Sequence, residues 1–503
     1  MRWLCLALVC LLMMPAAASA EDTAAYVSDF SAGFDGWYAR STGGASVEIT
    51  PEQTLAISGR TATWHSMGRD FMLKAGESYR LNVLVRQNDL NEAKFILSVA
   101  HTRQGTESYE NIAFATAKRG EWTPLGGSYL AGSFDRFVLY IETSGAGTLS
   151  YEIKDFTLEG KTAAFGKADI PSLKEAYADL FPFGTAVTYP EAVNSVRMDF
   201  YASQFNLFTP GNELKPDSVL DVAASRKLAE EDDTAVAVHF DAATPLLEYA
   251  QKNGLPVHGH VLVWHSQTPE AFFHVGYDVS KPLVDRMTML GRMENYIKAV
   301  FEWTDAHYPG VIVSWDVVNE AVDDGKAALR ASKWKTVVGE DFVLRAFEYA
   351  RRYAPEDVKL YYNDYNTAYE PKQTGIVNLL TALQAEGTID GYGFQMHHDI
   401  RQPGYAAIEK AFRRIAALGL RLRISELDVT IPALTEANLN AQAKLYGQVM
   451  ELAVRFADQV DGVQVWGVTD DLSWRASQYP LLFDADASPK PAFDAVLAAA
   501  GQK

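Results

Sequence analysis

The sequence predicts two domains, an all-β sandwich of jelly-roll-like character followed by an α/β domain folded as a (β/α)8 TIM barrel. Three observations lead there. From about Tyr26 to Gly160, short runs alternate apolar and polar residues between Gly, Ser and Asn punctuation. Period two at short spacing is the pattern of antiparallel strands with one buried face. From about Ile170 onward, apolar strand-like runs alternate instead with amphipathic stretches of helical period, and about 330 residues hold eight such strand candidates. Neither a Gly-x-Gly-x-x-Gly nor a full Gly-x-x-x-x-Gly-Lys-[Ser/Thr] loop occurs (Gly160-Lys161-Thr162 has Asp155 where the first glycine would stand), which counts against an open nucleotide-binding sheet.

Composition narrows the function classes before any motif is read. The 503 residues are 48% hydrophobic and 22% charged, enough core to exclude disorder or a disulfide-stapled miniprotein. Lys+Arg 45 against Asp+Glu 64 leaves a net charge of −19, a field that repels nucleic acid and anionic membrane surfaces and leaves a neutral polymer open as a partner. Residues 1–20 read as a secretory signal: Arg2, then an apolar run from Leu4 to Met14, then small residues ending Ala-Ser-Ala at Ala20. The run is shorter than the roughly 20 residues of a membrane span, so a secreted protein is expected, in a periplasm or the medium, and a monomer. Both cysteines, Cys5 and Cys10, lie inside that signal. The expected division is therefore 1–20 signal, 21–165 sandwich, 166–503 barrel, with a short linker around Lys161–Asp169.

In the sandwich, Tyr79, Leu81, Val83 and Val85 share one face of a strand, and Phe137, Leu139 and Ile141 share one face of another. Trp122 is read as core packing. In the barrel the strand candidates are Phe181–Thr185, Phe205–Thr209, His258–Trp264, Val311–Asn319, Leu360–Asn363, Gly391–His397, Leu422–Leu427 and Val463–Trp466. Phe342–Tyr353 and Tyr405–Leu418 are amphipathic helices between them. Trp315 suits core filling and a sugar wall equally.

Barrel chemistry sits where strands run into the loops at their C-terminal ends. The fourth strand ends in Asn319-Glu320, and the seventh carries Glu426 and Asp428. Either glutamate alone reads as a salt-bridged rim residue. Together, arriving at one rim from opposite sides, they are the equipment for splitting a glycosidic bond, one protonated to donate to the leaving oxygen and one ionised to attack the sugar carbon. Supporting residues are of sugar-binding types. His258 and His260 alternate on strand three, which ends in Trp264, His265 and Gln267; Gln395 and His397 share the inner face of strand six with Gly391 and Gly393; Trp466 ends strand eight and Trp474-Arg475 follows. Flat aromatic rings cover apolar sugar faces, while amides and imidazoles bond hydroxyls. The histidines could be read as zinc ligands, but they lack a zincin-like third ligand, and neutral imidazoles among tryptophans suit hydroxyl recognition better, so no catalytic metal is expected.

Trp315-Asp-Val-Val-Asn-Glu320, Gly259-His-Val-Leu-Val-Trp-His-Ser-Gln267, Gly393-Phe-Gln-Met-His397, Ile424-Ser-Glu-Leu-Asp428, Trp466-Gly-Val-Thr-Asp470 and Lys490-Pro-Ala-Phe493 together resemble glycoside hydrolase family 10, the retaining endo-β-1,4-xylanases, over about Phe181 to Phe493. The resemblance implies that Glu320 is the acid/base and Glu426 the nucleophile, their carboxyl groups about 5–5.5 Å apart as retention requires. It implies that Asn319 donates to the sugar 2-hydroxyl and that His397 and Asp428 orient Glu426. It further implies that Asn212, Lys215, His260, Trp264, Gln267 and Gln395 contact the substrate, that Trp466 and Trp474 wall the cleaved sugar, and that His265 supports the site. One departure is Gly211, where the family often has Glu before the Asn. No cofactor is implied for catalysis.

The N-terminal region is similar to carbohydrate-binding modules of the family 4, 9 and 22 type through Gly36-Trp37, Arg60-Thr-Ala-Thr-Trp64-His, Gly120-Glu-Trp122-Thr and Leu139-Tyr-Ile-Glu142. That likeness makes Arg40, Trp64, Tyr109 and Glu142 the candidates for contacting a xylan chain, Trp64 and Tyr109 by stacking. It also implies a structural calcium in the module, for which no Asp-rich loop marks a place. Two other readings stay open on the sequence: a β-1,4-glucanase on the same scaffold, and a catalytically silent polysaccharide-binding protein.

Overall fold

A computed structural model describes residues 24–501, except 32, 42–43, 72, 104–105, 162–164 and 167–168. The signal segment, with Cys5 and Cys10, and part of the linker lie outside the described residues. The chain divides into two compact units, one holding most residues up to 163 and the other those from 164 onward with the short stretches 74–76 and 132–134.

The first unit is built from two antiparallel sheets. One orders the strands Ser46–Ile49, Leu55–Ser58, Tyr151–Lys161, Ser78–Gln87 and Thr123–Leu130, with Ala24–Ser28 added beside Tyr151–Lys161. The other orders Tyr38–Arg40, Ser66–Phe71, Arg136–Ser144, Glu92–Arg103 and Thr106–Lys118. Tyr79, Leu81, Val83 and Val85 are buried together, as alternation predicts. Arg136–Ser144 departs from strict alternation: Val138 and Tyr140 are buried on its other face with Ala100. It is an inner strand of its sheet, and Tyr140 lies beneath the Arg40 guanidinium, 4.4 Å from the ring centre. Trp122 is not core. Its ring is half-buried between Arg86 at 4.4 Å and Lys154 at 4.7 Å, two cations whose stems and charges offer an aromatic face more than the already filled interior does. Trp37 takes the core place instead, edge-on to Phe156 at 5.0 Å.

The second unit is a closed barrel of parallel strands. In chain order they are Phe183–Val187, Leu207–Pro210, Val257–Trp264, Ile312–Asn319, Lys359–Asp364, Gly391–Phe394, Arg421–Thr430 and Val460–Val465. Each pairs with the next in parallel register, and the eighth closes on the first. All eight expected strands are present. The helix Phe342–Tyr353 has the expected bounds, and Tyr405–Ala416 ends two residues early. Strand six is interrupted: Met396 takes φ 61°, and extended backbone resumes at His397–Asp399. Glycine is obligatory at two strand positions, one on each face of the barrel wall. A Cβ on Gly259 would lie 2.2 Å from the buried Trp315 ring, and one on Gly393 would lie 2.3 Å from Asn363 Oδ1. Trp315 is thus core, edge-on to Phe301.

Candidate active site

A cleft of about 540 Å³ opens at the rim of the barrel and is lined by Asn212, Lys215, His260, Trp264, Gln267, Asn319, Glu320, Gln395, His397, Glu426, Trp466 and Trp474, all expected from the sequence. Tyr365, Glu191 and Gly211 line it as well. The side chains arrive there because each follows or ends a barrel strand, the end of the fold where backbone is free to turn and polar groups need no ladder partner. His265 and Asp428 stand behind this lining rather than in it.

Glu426 is 5% exposed and sits on strand seven. Asn363 Nδ2 donates to its Oε1 at 2.7 Å, and His397 Nε2 lies 3.1 Å from its Oε2. Burial opposes its charge, yet the His397 hydrogen bond and the charges of His260 and His397 outweigh burial, and the carboxyl ionises below its usual range. His397 Nδ1 in turn meets Asp428 Oδ2 at 2.8 Å. Asp428 is fully buried and also accepts from Trp474 Nε1 at 2.9 Å and Arg475 Nη1 at 2.6 Å. Burial alone would discharge His397; Asp428 and then Glu426 reverse that and raise it to about 10.

Glu320 follows strand four with φ 55°, a left-handed conformation uncommon for a residue with a side chain. The turn is held from outside: Glu320 N donates to the Asn363 carbonyl at 2.9 Å, and the Tyr362 hydroxyl accepts from the N–H groups of Ala321 and Val322. The carboxylate accepts from Trp264 Nε1 and Gln395 Nε2, both at 2.9 Å. His265 Nδ1 lies 4.0 Å away. Arg330 Nη1 donates to the far nitrogen of that ring at 3.2 Å, so the His265 proton must sit on the nitrogen facing Glu320.

Asn319 lies between the two carboxylates. Asn363 Nδ2, fixed as a donor by its bond to Glu426, and Gln395 Nε2 both approach one atom of the Asn319 amide at 3.0 Å. The Asn363 carbonyl lies 3.1 Å from the same atom, but two donors outweigh it, so that atom is the oxygen and the Asn319 NH2 lies on the Trp264 side, 3.3 Å from Nε1. Lys215 is buried, bonded to Asn212 Oδ1 and Gln267 Oε1 at 3.0 Å each, and 5.0 Å from the Trp264 ring centre. Burial lowers its pKa more than the surrounding carboxylates raise it.

Sequence reasoning missed Asn363, Tyr365, Arg330 and Asp316. Asn363 and Tyr365 follow the same rule that found the glutamates, being polar residues at the end of a barrel strand. Nothing in spacing marks Arg330, which reaches in from a loop. His258, expected among the sugar-binding residues, is instead buried below the cleft, bonded to Ser314 Oγ at 2.7 Å and 3.0 Å from Asp316. Its alternation with His260 is real, but both imidazoles lean on Asp316, and only His260 reaches the cleft. Burial, with the Arg423 charge, lowers His258 to about 4, so it is neutral. Among the described residues no group of three or more His, Cys, Asp or Glu side chains is arranged to hold a metal ion.

Comparison with known proteins now decides the family. The model of glycosyl hydrolase family 10 matches residues 172–499. The chain belongs to glycosyl hydrolase family 10. Residues 23–148 match a carbohydrate binding domain. The chain is 32% identical to endo-1,4-beta-xylanase A of Thermotoga neapolitana, over 94% of this chain and 46% of that protein. It is 30% identical to exoglucanase XynX of Acetivibrio thermocellus, over 93% and 44% respectively. The chain thus spans about half the length of these curated relatives. Among solved structures, the N-terminal carbohydrate-binding and family 10 modules of the Clostridium thermocellum endo-1,4-beta-D-xylanase 10B, complexed with xylohexaose, superpose with a TM-score of 0.63 at 30% identity, covering 93% of this chain and 95% of that one. Gly211 lines the cleft beside Thr188, whose Cγ2 would lie 3.1 Å from a Cβ there.

The His397 shift carries a testable sign. Its pKa in the fold, about 10 against the 6.5 of a free imidazole, means the protonated ring stabilises the protein fully below pH 6.5. That contribution is lost progressively as pH climbs to about 10. The melting temperature of the native protein is expected to exceed that of His397→Asn most at pH 6, with the gap closing by pH 10.5. Thermal melts of both proteins across that range check it, and a gap that widens with pH would remove the charged-histidine account.

Proposed function

We propose that this chain is a secreted endo-1,4-β-xylanase that cleaves internal β-1,4-xylosidic bonds with retention of configuration. The observation that carries the reading is the asymmetry of two carboxylates in one cleft. Glu426 is ionised by its own surroundings, and Glu320 faces the same space under two neutral N–H donors. Family membership, the relatives named endo-1,4-beta-xylanases and the neighbour complexed with xylohexaose support xylan as the polymer.

In the first step a Glu426 oxygen attacks the anomeric carbon, the bond from that carbon to the leaving oxygen breaks, and the Glu320 proton passes to the departing sugar. The Asn319 NH2, which meets no acceptor of the protein, donates to the 2-hydroxyl of the sugar being cleaved, a bond that strengthens in the transition state. In the second step the now ionised Glu320 takes a proton from water, the water oxygen bonds to the anomeric carbon, and the ester to Glu426 is released. Asn363 and His397 accompany the Glu426 charge through both steps. Trp264, Trp466 and Trp474 offer flat faces to the sugars.

Proton NMR of xylohexaose hydrolysis tests the reading: the first new reducing ends are expected as the β anomer. An α anomer would make the chemistry inverting. Comparing an aryl xylobioside with an aryl cellobioside tests the polymer, since a faster cellobioside would favour the β-1,4-glucanase reading.

A further inference from the structure

We propose that Phe114, with Ile96, forms an additional aromatic platform that lengthens the polysaccharide groove of the N-terminal unit along the edge of its sheet. The proposal rests on the reading that this unit binds xylan. A cavity of about 580 Å³ on the outer face of that sheet is lined by Arg40, Trp64, Glu107, Tyr109, Tyr140 and Glu142, with Asn111 completing it. Trp64 and Tyr109 are 40% and 49% exposed there. Phe114 is 70% exposed, more than either, on the edge strand Thr106–Lys118.

Spacing alone places Phe114 on the wrong face. Tyr109 and Asn111 point outward, and a residue three positions beyond Asn111 should point inward. A bulge changes this. Asn111 pairs with Ser98 and Ala113 with Leu97, so Ile112 is one residue extra. Ile112 and Ala113 both lie against Gly127 of the opposite sheet, where a Cβ would come within 2.9 Å of Ile112 Cγ2 and 3.3 Å of Ala113 Cβ. Both turn inward, and the strand resumes with Phe114 outward, opposite Ile96. Ile96 is in turn opposite Glu142, a cavity residue. Glu142, Ile96 and Phe114 thus form one row across three neighbouring strands, which puts Phe114 about 10 Å from Glu142 at ordinary strand spacing. The row continues the cavity outward and ends on an unshielded ring, a form that suits the apolar face of a further sugar of the same chain.

The test uses the full chain carrying Glu426→Ala, so that xylan is bound without being cut, with retardation in gels containing soluble β-1,4-xylan as the readout. Phe114→Ala is expected to raise the apparent Kd for xylan about three- to tenfold, Phe114→Tyr to behave as the parent, and xylotriose binding to be unchanged by either. Tyr109→Ala is expected to remove the contribution of the N-terminal unit altogether. Unchanged retardation of Phe114→Ala beside a weakened Tyr109→Ala overturns the Phe114 assignment alone. Unchanged retardation of both overturns the xylan-binding reading of the unit, and this assignment with it. A fall in sedimentation coefficient on Phe114→Ala would assign the ring to contact between copies of the chain and likewise overturn the proposal.

Discussion

Glu426→Ala is expected to fold and to lose hydrolysis of β-1,4-xylan by at least about 10⁴-fold in kcat, roughly 5.5 kcal/mol of transition-state stabilisation. The hydrogen bond from His397 Nε2 at 3.1 Å and the charges of His260 and His397 hold this carboxyl ionised below its usual range, and Asn363 Nδ2 donates to its other oxygen at 2.7 Å. Alanine leaves no oxygen to form the ester. The fold should survive because His397 keeps its second carboxylate, Asp428, and Asn363 Nδ2 keeps the Asn319 oxygen. Reducing-sugar release measured beside a thermal melt separates the two effects. Activity within tenfold of the parent, from a protein melting normally, would assign the nucleophile elsewhere.

Removing Glu320 should separate the two chemical steps. Glu320→Ala is expected to lose about 10² to 10⁴-fold on xylan, where the departing sugar needs a proton. On a dinitrophenyl xylobioside, whose leaving group departs without one, the first step should stay fast and the second, which needs a base for water, should stall. A burst of one dinitrophenolate per enzyme should follow, with slow turnover thereafter. Azide, a nucleophile that needs no base, should restore turnover and yield the β-xylobiosyl azide. Equal losses on both substrates, without a burst or azide rescue, would deny Glu320 the acid/base role.

The barrel was legible because its signal is repeated. Most strands are largely apolar runs, as sheets covered on both faces require, and several carry or run into polar residues at the rim, as at Asn319-Glu320, Asp364 and Glu426-Leu-Asp428. That logic reaches Glu320, Glu426, Gln395 and His397 without a homologue. It stops where a role depends on a partner far away in the chain. Arg330 matters because it meets His265 across 65 residues, and Asp316 because two imidazoles converge on it. Trp122 shows the same limit in reverse: a tryptophan in an alternating region suits a core, yet Arg86 and Lys154 hold it outside.

The amino-acid order by itself determined what repeats locally: the alternating strands, the eight strand–helix units and the identity of the residues at the rim, since hydrophobic period and strand ends are properties of neighbours in the chain. Tertiary structure alone decided charge and direction. The ionisation of Glu426 follows from His397 and His260 lying beside it. The outward turn of Phe114 follows from Gly127, which leaves room for Ile112 and Ala113 to face inward together. Both depend on packing between segments distant in sequence, where burial and electric fields are set.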